Sequence, residues 1–140
     1  MIKLDFSKGN LAAHEQLVEI IIFCYLKQTR AVGQNIEYKK GKEKLTAGEI
    51  DVIATYNDSV HIVEVKTNND LDLAVEELKN HYKNSAVILS ELPLKFSANV
   101  RKIRYFAIIY ELYSVYELNP ENNEVLHVGT MDDFLNNPFK

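Results

Sequence analysis

Two carboxylates and a lysine, set inside a pair of apolar runs, are the residues of this sequence best suited to chemistry. Glu49 to Tyr56 and Val60 to Thr67 are both rich in β-branched residues and are joined across Asn57-Asp58. That dipeptide suits a two-residue hairpin turn. With Tyr56 opposite Ser59, counting back places Thr55 against Val60, Ile53 against Ile62, Asp51 against Glu64 and Glu49 against Lys66. Asp51 and Glu64 become direct cross-strand neighbours, with Cβ atoms about 5 Å apart. Strand alternation puts Glu49, Asp51, Glu64 and Lys66 on one face. The remaining residues (Ile50, Val52, Ile53, Ala54; Ile62, Val63, Val65) read as central strands covered on both sides. Opposed carboxylates in such a place are costly through like-charge repulsion and desolvation. A divalent cation removes that cost, and Mg²⁺ or Mn²⁺ favours carboxylate and water oxygens. Lys66, two residues beyond Glu64, can then assist a metal-bound water and stabilise charge on a phosphate. The plainer alternative is a pair of acids at frayed strand ends with a Glu49–Lys66 ion pair.

The surrounding elements must position this hairpin. Ser7 or Asn10 caps a helix running to about Arg30, with Leu17, Ile21 and Cys24 on one face and Val18, Ile22 and Tyr25 on the next. A strand over Val32 to Tyr38, with an irregularity at Gly33, precedes the hairpin. Asn68-Asn69-Asp70 offers a cap for a second helix over Leu71 to Tyr82. Ala86 to Leu89 reads as a short buried strand, followed by a loop with Pro93. Ser97 to Arg104 is open between a helical turn and a loop. Tyr105 to Tyr110 reads as a strand, and the aromatic-rich stretch Tyr105 to Tyr116 as core by default, with a face for dimerisation as the alternative. Ser114 to Leu118 and Glu124 to Val128 form a further hairpin around Asn119-Pro120-Glu121-Asn122. Thr130-x-x-Asp133 has capping-box spacing ahead of a terminal helix. The order predicts an α/β sandwich with a mixed central sheet flanked by helices, in one domain spanning residues 1–140.

The segments Gly48-Glu49-Ile50-Asp51-Val52-Ile53-Ala54 and Ile62-Val63-Glu64-Val65-Lys66-Thr67 resemble the core of the PD-(D/E)XK nucleases, the restriction-endonuclease-like fold. They are most similar to the branch of archaeal Holliday-junction resolvases and small predicted endonucleases. The resemblance covers about Ala13 to Tyr82. It implies an αβββαβ core, here with an extra C-terminal β-hairpin and short helix. It also implies that Asp51 and Glu64 are metal ligands, that the Val65 backbone carbonyl is a further one, and that Lys66 is the catalytic lysine. Glu15 matches a first-helix glutamate that reaches the metal site in the family, and Glu77 stands near a position often held by glutamine. Ile50 replaces the proline before the aspartate. The implied activity is hydrolysis of branched or structured DNA by a homodimer.

Composition bounds the rest. The 140 residues carry a net charge of −4 and are 46% hydrophobic, an ordinary globular balance that does not advertise a nucleic-acid partner. Lys39, Lys40, Lys42 and Lys44 precede the acidic strand and are candidates for phosphate contacts, as are Lys95, Arg101, Lys102 and Arg104; the alternative is a solvated surface. His14, His61, His81 and His127 lack metal-ligand spacing and read as structural or surface residues. Cys24 stands alone, which excludes an internal disulfide and fits a reducing compartment. The apolar run Ile20 to Leu26 is far short of the about 20 residues that span a bilayer. With no signal-peptide layout at the N-terminus, the expectation is a cytoplasmic protein without membrane contact. No Ser-His-Asp set, phosphate-binding glycine loop or CxxC pair occurs, so serine hydrolase, nucleotide-cofactor and zinc-finger chemistry are not expected. The residues do not distinguish DNA from RNA. The rival reading is a catalytically silent module of the same fold that binds DNA or a replication or repair protein.

Overall fold

The computed structural model describes residues 1–41, 45–91, 100 and 102–140. Its centre is a six-stranded mixed sheet in the order β1-β2-β3-β4-β5-β6, with β1 Ala31–Lys40, β2 Leu45–Tyr56, β3 Ser59–Lys66, β4 Lys102–Ile109, β5 Ser114–Asn119 and β6 Glu124–Thr130. Only β3 and β4 run parallel; the other neighbours are antiparallel. A parallel pair needs a crossover. Here it includes helices α2 Leu71–Lys83 and α3 Ser85–Glu91. Helix α1, Asn10–Leu26, precedes the sheet, and α4, Met131–Asn136, follows it. Among the described residues no helix is long and apolar enough to cross a membrane.

Two cores explain why the central strands are apolar throughout. On one face Leu17, Val18, Ile21 and Tyr25 of α1, with Met131 and Leu135 of α4, cover Val52, Ala54, Val63, Val65, Phe106 and Ile108. On the other, Ala74, Val75 and Leu78 of α2 and Ile88 of α3 cover Ile50, Ile53, Val60, Ile62, Ala107 and Ile109. Strand β3 lies between both layers, and every residue from Val60 to Val65 is buried. A charged group on that strand therefore has no water to retreat to, which is what makes Glu64 informative.

Several local expectations need correction. Helix α1 starts after Gly9, whose φ of 97° does the turning, and neither Ser7 nor Asn10 provides a side-chain cap. It ends at Leu26 instead of Arg30, because Gln28 and Thr29 N–H groups close onto the Tyr25 carbonyl and the Thr29 hydroxyl donates to Thr55 O. Ala86 to Leu89 is helical. Asn84 ends α2 by donating to the carbonyls of Asn80 and His81, and the Ile88 N–H bonds back to Asn84 O to begin α3. A four-residue apolar run carries no period that separates strand from helix. The register of β1 shifts between Tyr38 and Lys39, and Asn35 takes a left-handed φ of 50° without shifting it, whereas Gly33 pairs regularly with Ile53. Tyr105 faces the core, while Tyr110 and Tyr113 accept the backbone N–H groups of Leu4 and Ile2 and tie the N-terminus to the sheet. The Thr130 hydroxyl caps α4 through Asp133 N–H, as its spacing predicts.

Candidate functional site

Strands β2 and β3 pair in the register read from the sequence, from Tyr56↔Ser59 to Val52↔Val63. The backbone ladder then stops one step short of Asp51 and Glu64. In its place the Asp51 carboxylate accepts the Val65 N–H at 2.8 Å. Alternation breaks at the same point: Ile50 packs toward α2 and Val52 toward α1, although they are two residues apart. On β1 the break is matched by Asn35, which drops out between the pairs Gln34↔Val52 and Ile36↔Ile50. The distortion leaves Asp51 at the edge of an open cleft of about 520 Å³ that Glu49, Glu64, Lys66 and Glu77 also line.

Glu64 is the buried member of the pair, 2% exposed. Burial, reinforced by the Asp51 charge and by Glu77, pushes its carboxyl far above the ordinary range, so it keeps its proton at neutral pH. Asp51 moves the other way. Burial alone would raise it, but the facing His14 ring, the Glu64 carboxyl and the Val65 N–H outweigh burial and hold it below its ordinary value. The pair thus shares one proton, carried by Glu64, with Asp51 and Glu77 both beside it. Lys66 emerges at the rim, where its Nζ meets Glu77 Oε1 at 2.9 Å.

Two histidines complete the site, and the search for metal-ligand spacing missed both. His14 reaches in from α1, its Nε2 at 3.0 Å from Val65 O and 3.6 Å from Asp51 Oδ2, and the contact with Asp51 raises its pKa. His81 reaches in from α2, with Nε2 at 2.5 Å from Glu64 Oε1 and Nδ1 at 2.7 Å from Tyr38 Oη. Burial lowers its pKa to about 4, so it is neutral. One signal was available: His81 continues the apolar stripe Ala74, Leu78 at helical spacing, where a polar residue needs a partner.

The remaining predicted residues lie elsewhere. Glu15 is exposed on α1 and does not line the cleft; His14, one position earlier, takes the inward direction. Lys39 and Lys40 are exposed at the end of β1, just past Tyr38, whose strand partner Gly48 lines the cleft. Lys42, Lys44, Lys95 and Arg101 lie outside the described residues. Lys102 does not join this groove. Because β4 runs parallel to β3, Lys102 pairs with Ser59 and Ala107 with Glu64, which separates Lys102 from Glu64 by roughly 16 Å of strand. Arg104, at the same far end, is held by Glu117 through two bonds of 2.6 and 2.7 Å.

The donor set suits a hard divalent cation in kind: two carboxylates and the Val65 carbonyl, with no thiolate. Among the described residues no three His, Cys, Asp or Glu side chains converge as a complete ligand set, so the main-chain carbonyl and water would have to contribute. The protonated Glu64 is the feature that fits best, because a cation can take the place of the proton that burial forces on it. No protein-family model matches the chain, and a search of curated proteins found no match either.

Proposed function

We propose that the chain is a metal-dependent nuclease of the PD-(D/E)XK kind, with α1, β1 to β3, α2 and β4 as its restriction-endonuclease-like core. The observation that carries this reading is the convergence of Asp51, Glu64 and Lys66 in one cleft, with Glu64 buried against Asp51 on a strand that is otherwise apolar. Such an arrangement destabilises the fold unless something positive occupies it, and destabilising polar groups retained in a core point to function.

In this reading Asp51, Glu64 and the Val65 carbonyl hold Mg²⁺ or Mn²⁺. The bound ion supplies Lewis acidity toward a phosphoryl oxygen and a water of lowered pKa. Lys66 stands two residues from Glu64 at the rim and turns from Glu77 to the phosphate, stabilising its developing negative charge. Apolar strands beneath the cleft limit water behind the carboxylates, so their charge acts at short range in a low dielectric. Glu49 and Glu77 make the rim acidic, and Lys39 and Lys40 are the described cations best placed to meet the phosphate backbone beside it. DNA with branched or otherwise irregular structure is the proposed substrate. A homodimer with sites related by a two-fold axis suits cutting of two strands.

Calorimetric titration with Mn²⁺ tests the metal centre without needing a substrate. One site per chain that disappears in Asp51→Asn is the expected result. No binding by the wild-type protein would leave a binding module of the same fold, without catalysis. Sedimentation with and without junction DNA tests the dimer, which a single-chain mass under both conditions would remove.

A further inference from the structure

Behind Glu64 runs a buried chain of polar groups whose directions can be assigned one by one. Ala47 O can only accept, so the Asn80 atom 3.1 Å from it is the amide nitrogen, and the same Nδ2 reaches Tyr38 Oη at 3.2 Å. Asn84 donates to the other end of that amide, Oδ1, at 3.2 Å. The Tyr38 oxygen therefore accepts from Asn80, and its own proton goes to His81 Nδ1 at 2.7 Å. With Nδ1 an acceptor, the neutral ring carries its proton on Nε2, aimed at Glu64 Oε1 at 2.5 Å. The opposite direction would set Nδ1–H against a hydroxyl already receiving the Asn80 N–H and leave the Tyr38 proton without an acceptor. Such an orphan is rarely tolerated in a site where Tyr38, His81 and Glu64 are 1 to 2% exposed.

We propose that His81 is a positioning residue: its Nε2–H anchors one oxygen of Glu64 so that the other is presented to the cleft it lines with Asp51, while Tyr38 and Asn80 fix the tautomer that allows this. The inference rests on the metal-centre reading above and adds to it the group that sets the orientation of one ligand. Nothing in packing alone requires it, since a leucine would continue the apolar face of α2 that Ala74 and Leu78 form. The chain also explains Gly48. A Cβ there would clash with Tyr38 Oη, so a side chain at 48 would displace the hydroxyl that selects the tautomer.

The test compares wild type, His81→Leu, His81→Gln and Tyr38→Phe, each checked for folding by circular dichroism, by Mn²⁺ titration. Loss of such an outer partner weakens metal binding about 10- to 100-fold, which is the effect expected for His81→Leu. His81→Gln, able to extend an amide N–H toward Glu64, should recover most of the affinity, and Tyr38→Phe should show a smaller loss. A folded His81→Leu that binds Mn²⁺ as wild type does would overturn the proposal and leave the metal centre standing. Nitrogen resonances of the His81 ring in metal-free wild type give a second readout that also covers a His81→Leu chain that fails to fold. A protonated Nε2 and bare Nδ1 are expected, and the reverse tautomer overturns the assignment. If wild type binds no Mn²⁺, the metal-centre reading fails, and the ring resonances still decide whether His81 donates to Glu64.

Discussion

His61 supplies a stability test that is independent of the cleft. It lies on β3 facing α1, 1% exposed, with its Nδ1 at 2.8 Å from Tyr25 Oη and its ring against Phe106, Phe134 and Phe139. The titratable groups facing it are Tyr25 from α1 and Arg104 and Lys102 from β4; α4 and the C-terminal tail offer only aromatic rings. Burial first, and then the two cations, push its pKa from 6.5 down to about 3. A histidine depressed in the folded state contributes stability that is present above its unfolded pKa and is lost as pH falls toward the folded one. Between pH 7 and 5 the unfolded chain gains a proton on this residue that the folded chain refuses. At 1.36 kcal/mol per unit, that gap costs about 2 kcal/mol by pH 5, a large share of an ordinary domain's 5–15 kcal/mol. His61→Asn keeps a polar group near Tyr25 and does not titrate. Urea melts followed by far-ultraviolet circular dichroism, suited to a chain without tryptophan, should show the variant less stable at pH 7. Between pH 7 and 5 it should lose about 2 kcal/mol less than wild type. Equal losses in both proteins would refute the argument that the ring is held neutral.

Other outcomes follow from the same structure. Glu64→Gln keeps an acceptor for His81 and removes a carboxyl whose raised pKa makes the wild type lose stability as pH climbs above 4.5. In EDTA at pH 7 this variant should melt higher than wild type while binding no Mn²⁺, and a clearly lower melting temperature would contradict the buried, protonated Glu64. Gly48→Ala forces a methyl against Tyr38 Oη and should cost about 1–3 kcal/mol by overpacking. Chemical denaturation measures it, and an unchanged midpoint would show that Tyr38 can move freely. Leu78→Ala empties a fully buried position between α2 and the sheet and should cost about 2–5 kcal/mol, read the same way.

The hairpin was legible because its signals are local. Asn57, with φ 57°, makes the turn, and a two-residue turn sets the register of strands that are apolar on both faces. That register brings Asp51 and Glu64 to the same end of the hairpin, and Lys66 follows two residues on. His81, Tyr38 and His14 were not legible, because their contacts join elements 17 to 51 residues apart and depend on how α1 and α2 settle on the sheet. Glu15 and His14 are adjacent on one helix, and only the roll of α1 decides which points inward. The position of Lys102 depends on the parallel direction of β4, which no local pattern encodes. The break at Asp51 was equally hidden, since it involves Asn35 on a strand whose pairing partner had to be known first.

Cleavage itself tests the central claim most directly. Labelled four-way junction, flap, linear duplex and single-stranded DNA are incubated with wild type, Asp51→Ala and Lys66→Ala, with Mg²⁺, with Mn²⁺ and with EDTA. The account predicts cutting by wild type only when metal is present, strongest on the branched substrates, and its loss in both variants while they remain folded. Cutting that persists in Asp51→Ala, or none by wild type with either metal, would contradict it.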